Sequence, residues 1–182
     1  MRPQRKLDET RLESESGFSL IELLIVVAVI LIVASIAVPS FLRARMIANE
    51  ASAAAGIRSI TDAATVYSTT YGNGYPPSLV ALSGAGPASC DLSDLADPII
   101  AAAPHQKSGY TYAYIGQTVN PAAATGCAAP GYGGYLITAA PNTIGSTGQR
   151  SFCSDTPGVI HADPTGTAAP TIAACDALAP LD

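Results

Sequence analysis

The feature that most constrains this chain is an apolar run of 25 residues, 18–42, that contains one charged residue, Glu22. The hydrocarbon core of a bilayer requires about 20 apolar residues in a helix, so the run predicts a membrane-spanning segment. A cleaved secretory signal is one alternative, but its apolar region is only about 7–15 residues long. A buried core helix is another, but few domains in a chain of 182 residues could cover 25 apolar residues.

Cations on the two sides of the run predict its orientation. Residues 1–17 contain four Lys or Arg, whereas the first stretch after the run contains Arg43, Arg45 and then Arg58. Because Lys and Arg favour the cytoplasmic side, we expect a cytoplasmic N-terminus and residues 43–182 outside. The whole chain has 9 Lys and Arg against 14 Asp and Glu, which disfavours nucleic-acid binding, for which the sequence gives no direct evidence.

Helical periodicity continues beyond the apolar run and predicts a helix from Phe18 to Tyr71 that ends at a cluster of Gly, Asn and Pro at 72–77. Pro39 lies inside this helix, where the loss of a backbone donor predicts a kink or local melting. The predicted buried stripe consists of Met46, Ala53, Ile57, Ile60, Ala64, Tyr67 and Tyr71. The charged residues predicted to lie off the stripe are Arg43, Arg45, Glu50, Arg58 and Asp62.

Residues 75–182 are predicted to form a head of short strands and loops. The region from Ser78 to Lys107 is predicted to be rich in loops, and strands are predicted at 109–117, 131–140 and 150–162, where aromatic and β-branched residues concentrate. The Ala- and Pro-rich tail is predicted to be a loop. The simplest assembly is an α+β fold in which a small antiparallel sheet packs on the stripe of the long helix.

The junction Gly17-Phe18-Ser19-Leu20-Ile21-Glu22 closely resembles that of the type IV pilin and type II secretion pseudopilin family. In that family a polar leader ends in Gly, and a Phe-Ser/Thr-Leu-Ile/Val-Glu sequence begins a long apolar helix. The segment GYLITAAP…GSTGQRSFCSDTPGVI is similar to the pilin sheet at lower specificity. The resemblance implies cleavage by a prepilin peptidase after Gly17 and N-methylation of Phe18.

The resemblance also implies the organisation of the chain. Residues 1–17 would be a cleaved leader, 18–42 the transmembrane and assembly helix, 43–74 its amphipathic continuation and 75–182 the head. Pro39 stands where type IVa pilins and major pseudopilins commonly have a helix-breaking proline, and as a second candidate assembly residue it would allow local unwinding of the helix.

Glu22 is a candidate assembly residue on physical grounds. A carboxylate inside a membrane helix costs about 2.5–3.5 kcal/mol on insertion scales. Cleavage after Gly17 would create an ammonium group at Phe18, which could pair with Glu22 of a neighbouring subunit and set the axial register. The alternative is that Glu22 lies among the lipid headgroups as an ordinary acidic residue in the first turn of the helix, where the helix dipole favours a negative charge.

The cysteines all lie in the part predicted to be exported, where an even number predicts two disulfides. They are Cys90, Cys127, Cys153 and Cys175. Of the three possible pairings we favour Cys90–Cys127 with Cys153–Cys175, because each bond closes a loop of moderate length. The spacing contains no C-x-x-C, and His105 and His161 are isolated, so no zinc site is expected.

No cofactor or metal is expected, with calcium as the one alternative. The acidic stretch Asp91, Asp94 and Asp97 does not match the twelve-residue calcium loop. Major pseudopilins have a calcium site near the C-terminus, for which the candidates here are Asp155, Asp163 and Asp176. A solvated acidic face is the preferred interpretation of these carboxylates.

The sequence contains no catalytic motif and no phosphate-binding loop, so we expect a structural protein rather than an enzyme. The first interpretation is a subunit of a homo-oligomeric filament that spans the inner membrane once before assembly. An assembly platform in that membrane, driven by a separate ATPase, would insert the subunit into a surface pilus or a periplasmic pseudopilus. Two predicted disulfides and a long loop-rich head favour a pilin over a major pseudopilin. The alternative from another class is a non-assembling, membrane-anchored binding domain, which would need neither Gly17-Phe18 nor a buried Glu22.

Overall fold

A computed structural model describes residues 18–84 and 86–181 of the chain. Its fold is a long N-terminal helix, part of which packs on a six-stranded antiparallel sheet, as expected for an α+β pilin-like architecture. The described residues divide into two units, a first unit that ends at Ser40 and a second unit that begins at Phe41. The predicted leader, including Gly17, lies outside the described residues.

Helix α1 extends from Leu20 to Tyr71, two residues shorter than predicted at its start. Helix α1 continues through Pro39 without a break, so the prediction of local melting there is wrong, while the alternative of a kink stays a prediction. The physical reason is that proline removes one backbone donor, the partner of the Ser35 carbonyl, while the turns on either side keep their own hydrogen bonds.

The buried stripe of α1 is confirmed in the second unit. Ala53, Ile57, Ile60, Ala64 and Tyr67 are all at most 1% exposed, and the stripe's two end residues, Met46 and Tyr71, are half-buried. The prediction for Glu50 is wrong. We expected it off the stripe, but it is only 7% exposed because it binds groups of the segment that precedes β4.

Helix α1 ends in the predicted cluster of breakers. Gly72 has a φ of +61° and donates its N–H to the Ser68 carbonyl, and Gly74 has a φ of +77°. Both angles lie in the left-handed region that glycine adopts without steric cost. Between them, the side chain of Asn73 is buried.

The sheet is a meander in which each strand pairs with the next. Its strands are β1 (Gln106–Lys107), β2 (Tyr110–Val119), β3 (Tyr132–Pro141), β4 (Ser151–Asp155), β5 (Ile160–Asp163) and β6 (Ala179–Pro180). The single strand predicted at 150–162 is wrong. Gly158, with a φ of +82°, donates to the Asp155 carbonyl in a tight turn that separates β4 from β5.

Two regions predicted as loops contain short elements. Residues 78–107 include a 3₁₀ turn (Val80–Leu82), α2 (Pro98–Ala101) and β1. The tail forms α3 (Ile172–Asp176) and β6, which pairs with β5. The tail is therefore part of the sheet structure and not a loop.

The two faces of the sheet have different partners. Tyr110, Tyr112, Ile137 and Phe152 are buried in the main core together with the α1 stripe. On the opposite face, Leu136 and Cys153 pack with residues of the tail in a second, smaller cluster whose other buried members are Ala169 and Cys175. The head thus has helix α1 on one side of its sheet and the tail on the other.

Candidate functional site

The apolar side chains of 18–42 have no protein partner in the described structure. Every large aliphatic or aromatic side chain in this run is between 47% and 79% exposed. The most apolar window of α1 has a mean hydropathy of 3.1, none of it buried, and the helix is long and apolar enough to cross a membrane. A helix that is apolar on all sides requires lipid or other helices around it.

The candidate processing residue Phe18 and the candidate assembly residue Glu22 lie at the start of that surface. Phe18 precedes α1 and is 76% exposed, and Glu22 is exposed in the first turn. A carboxylate there is favoured by the helix dipole. Within the described residues Glu22 forms no salt bridge, so its pairing with Phe18 of another subunit stays a prediction.

Glu50 joins α1 to the segment that precedes β4. Its Oε1 accepts hydrogen bonds from the backbone N–H groups of Gln149 at 2.9 Å and Arg150 at 3.2 Å, and its Oε2 accepts from the Arg150 side chain at 2.9 Å. Burial raises the pKa of Glu50, but these hydrogen bonds outweigh it and hold the pKa below its ordinary value. The carboxylate therefore stays ionised and fixes the β3–β4 loop to the helix.

Asn73 performs the same task at the end of α1. Its Nδ2 donates to the Ala129 carbonyl at 3.0 Å, and its Oδ1 accepts from the Ala124 N–H at 2.9 Å. The disulfide Cys90–Cys127 lies close by, since the Tyr67 hydroxyl donates to the Cys90 carbonyl at 2.9 Å. These bonds attach the loop between β2 and β3 to the helix.

Comparison with known families identifies the start of the chain. Residues 14–38 match the prokaryotic N-terminal methylation motif. This motif is the signature of type IV pilins and pseudopilins, and it includes Gly17, Phe18 and Glu22. Neither a curated protein nor a solved structure matches the chain. The match and the fold together support a type IV pilin-like or pseudopilin protein, of a class that is generally structural.

The second disulfide of the pilin-like head is Cys153–Cys175, which attaches α3 to β4. The two bonds match the pairing that the sequence favours. Each lies beside buried structure, with Cys90, Cys153 and Cys175 at most 4% exposed.

Of the acidic residues of the head, Asp91, Asp94 and Asp176 are exposed as expected of a solvated face, whereas Asp97 and Asp155 are more enclosed. Asp97 accepts from the Ile99 N–H and pairs with Lys107 at 2.6 Å, and its pKa is lowered chiefly by that lysine. Asp155 is only 6% exposed, and burial, with Asp176 nearby, raises its pKa. Among the described residues, no three His, Cys, Asp or Glu side chains are grouped to hold a metal ion. Calcium binding at Asp155, Asp163 and Asp176 stays an alternative prediction.

Sequence reasoning missed two residues that fix the head to α1, Glu50 and Asn73. Glu50 and Arg150 are separated by 100 positions, and no local pattern selects one acid for one cation over that distance. Asn73 was assigned only to the helix end. The Gly-Asn-Gly pattern predicts only a turn, whereas the backbone hydrogen-bond partners of the Asn73 side chain are 51 and 56 positions away, which no local pattern selects.

Proposed function

We propose that this chain is a structural subunit of a type IV pilus, cleaved by a prepilin peptidase after Gly17 and N-methylated at Phe18. The observation that carries the proposal is the methylation motif at 14–38, whose residues from Leu20 onward lie in the part of α1 where the large apolar side chains are exposed. Such a surface suits lipid before assembly and the helices of other subunits afterwards.

Assembly by this route needs a determinant of register. Lipid tails are as apolar as leucine, so the exchange of lipid for helix contacts gains little from the hydrophobic effect. The ion pair between the Phe18 ammonium and Glu22 of a neighbour supplies the missing specificity. A subunit that enters at a wrong height leaves Glu22 unpaired in an apolar medium, which costs about 2.5–3.5 kcal/mol.

The head is suited to persist outside the cell. Two disulfides restrict its unfolded state, and the tail covers one face of the sheet. These features favour a surface pilus over the alternative, a major pseudopilin of a type II secretion system. In either case the partners are copies of the chain, the prepilin peptidase and an assembly platform in the inner membrane.

The proposal is tested by mass spectrometry of filaments sheared from intact cells. The expected N-terminal peptide begins with N-methylated Phe18 and is abundant in the sheared fraction. If the processed protein stays in the cell envelope, the result would favour a pseudopilus over a surface pilus. A mature protein that retains residues 1–17 would contradict assembly and favour a membrane-anchored binding domain.

A further inference from the structure

A polar recess opens at the start of the second unit and has no role in the proposed assembly. It is a cavity of about 230 Å³ between the first turns of α1 in this unit, the β1–β2 turn and the β3–β4 loop. We call it the Arg45 recess, and it is lined by Leu42, Arg45, Asn49, Ser108, Gly109, Ser146 and Thr147. Its volume lies below the range of about 300–1,000 Å³ that is typical of organic-ligand pockets, which suits a small polar group.

The walls of the recess are fixed by hydrogen bonds. Asn49 Nδ2 donates to the Thr147 carbonyl at 2.8 Å, and the Ser52 and Ser108 hydroxyls are 3.0 Å apart. The Thr147 hydroxyl accepts from the Thr143 N–H at 3.1 Å. The neighbouring Glu50–Arg150 pair holds the same loop to the helix. A ligand would therefore enter a preformed site.

The lining predicts an anionic ligand. It supplies the guanidinium group of Arg45 and the hydroxyls of Ser108 and Ser146, and it includes no carboxylate. Arg45 has no ion pair with any acid in the described part of the chain. A planar guanidinium beside hydroxyl donors is the usual protein environment of a phosphate group.

The position of the recess indicates the source of that phosphate. Leu42 is the last residue of the apolar run, and Arg45 lies three residues further along the helix, a rise of about 4.5 Å. In a subunit that spans the membrane through 18–42, this is the level of the outer headgroups. We propose that the Arg45 recess binds the phosphate of an anionic phospholipid while the subunit resides in the membrane. This inference rests on the membrane-resident state of the proposed function.

The test uses the full-length chain in detergent micelles that contain dioleoyl phosphatidylglycerol, with retained lipid counted by native mass spectrometry. The wild-type chain is expected to retain one lipid. Arg45→Gln is expected to reduce the retained fraction about tenfold, since it removes a charge-assisted bidentate contact. Ser146→Ala is expected to give a smaller loss in the same direction.

The matched control is Arg43→Gln, which removes the same charge two residues earlier, from a residue that does not line the recess. It should retain lipid at the wild-type level. Equal loss in both variants would overturn the inference in favour of general attraction near the membrane, and so would full retention by Arg45→Gln. Displacement of the lipid by an equal concentration of inorganic phosphate would overturn the assignment to a lipid.

Filament yield separates this inference from the proposed function. Arg45→Gln is expected to form sheared filaments normally, because the recess acts before assembly. Lipid retention by a wild-type chain that forms no filaments would contradict the proposed function alone. Loss of filaments in Arg45→Gln with unchanged lipid retention would overturn the inference and assign Arg45 to a contact between subunits.

Discussion

The two units of the chain differ in whether their apolar side chains are exposed or buried. In residues 18–40 the large apolar side chains are all at least 47% exposed, whereas in the second unit the residues of the α1 stripe and the inner sheet face are nearly all fully buried. The second unit also contains both disulfides and both ion pairs of the described structure. The comparison teaches that folding and assembly are encoded in separate stretches of sequence. Substitutions in the head should change its stability without changing membrane insertion, and substitution of Glu22 should reduce filament assembly without changing the stability of the head.

The largest effect on the head is expected from removal of a disulfide. The double variant Cys90→Ala/Cys127→Ala opens a link with a sequence separation of 37 and should lower the free energy of unfolding by about 3–4 kcal/mol. Thermal unfolding of the full-length chain in detergent measures this. Membrane insertion should be unchanged, and a parallel loss of insertion would show that the two units are not separable.

A somewhat smaller effect is expected from Glu50→Ala. The substitution removes the carboxylate that accepts part-buried hydrogen bonds from the N–H groups of Gln149 and Arg150, and loss of these charge-assisted bonds should cost about 2–3 kcal/mol in unfolding free energy. Asp62→Ala is the matched control, since Asp62 is an exposed acid on the same helix and its loss should cost little. Equal effects of the two substitutions would contradict the role given to Glu50.

Glu50 also gives the head a pH dependence with a defined sign. The pKa of Glu50 is lower in the folded head than the ordinary value of 4.5. The ionised carboxylate therefore stabilises the folded head above pH 4.5, and this stabilisation is lost as the pH falls through the pKa of the folded state. The free energy of unfolding, measured at decreasing pH, should therefore fall for the wild type and should fall less for Glu50→Gln. An identical pH profile in the variant would assign the acid sensitivity to other carboxylates.

The smallest effect on the free energy of unfolding is expected from substitution of Asp155, which should stabilise the head instead of destabilising it. Burial raises the pKa of Asp155, so the ionised form destabilises the folded head, and this penalty appears as the pH rises through the raised pKa. Asp155→Asn should be more stable than the wild type at neutral pH, and the difference should vanish below pH 3.8, where the acid is protonated in both states. A variant that is less stable at neutral pH would show that the carboxylate has a stabilising partner.

Those parts of the fold that depend on local pattern were predictable from the sequence. The helix end at Tyr71 and the buried positions from Ala53 to Tyr67 follow from a period of 3.6 and a cluster of breakers. The sheet on the helix follows from the alternation of buried tyrosines in β2. The turn at Gly158 was a readable signal that the single-strand prediction passed over.

The remaining features depend on contacts between distant residues. Strands β1 and β6 each have two residues, too few for a periodic signal, and form because a neighbouring strand presents free backbone groups. The burial of Glu50 depends on Arg150, and the Arg45 recess depends on three segments that meet only in the folded head. Of the candidate assembly residues, Phe18 and Glu22 were found because they belong to a compact motif.

The most direct test of the central claim is the filament yield of Glu22→Gln, with Glu50→Gln as the matched control in the head. The account predicts that Glu22→Gln is inserted, cleaved after Gly17 and methylated at Phe18 like the wild type, but that it is absent from the sheared filament fraction because subunits lose their register. Glu50→Gln should still enter filaments while its head unfolds more readily. Filaments of Glu22→Gln at the wild-type yield would contradict the account.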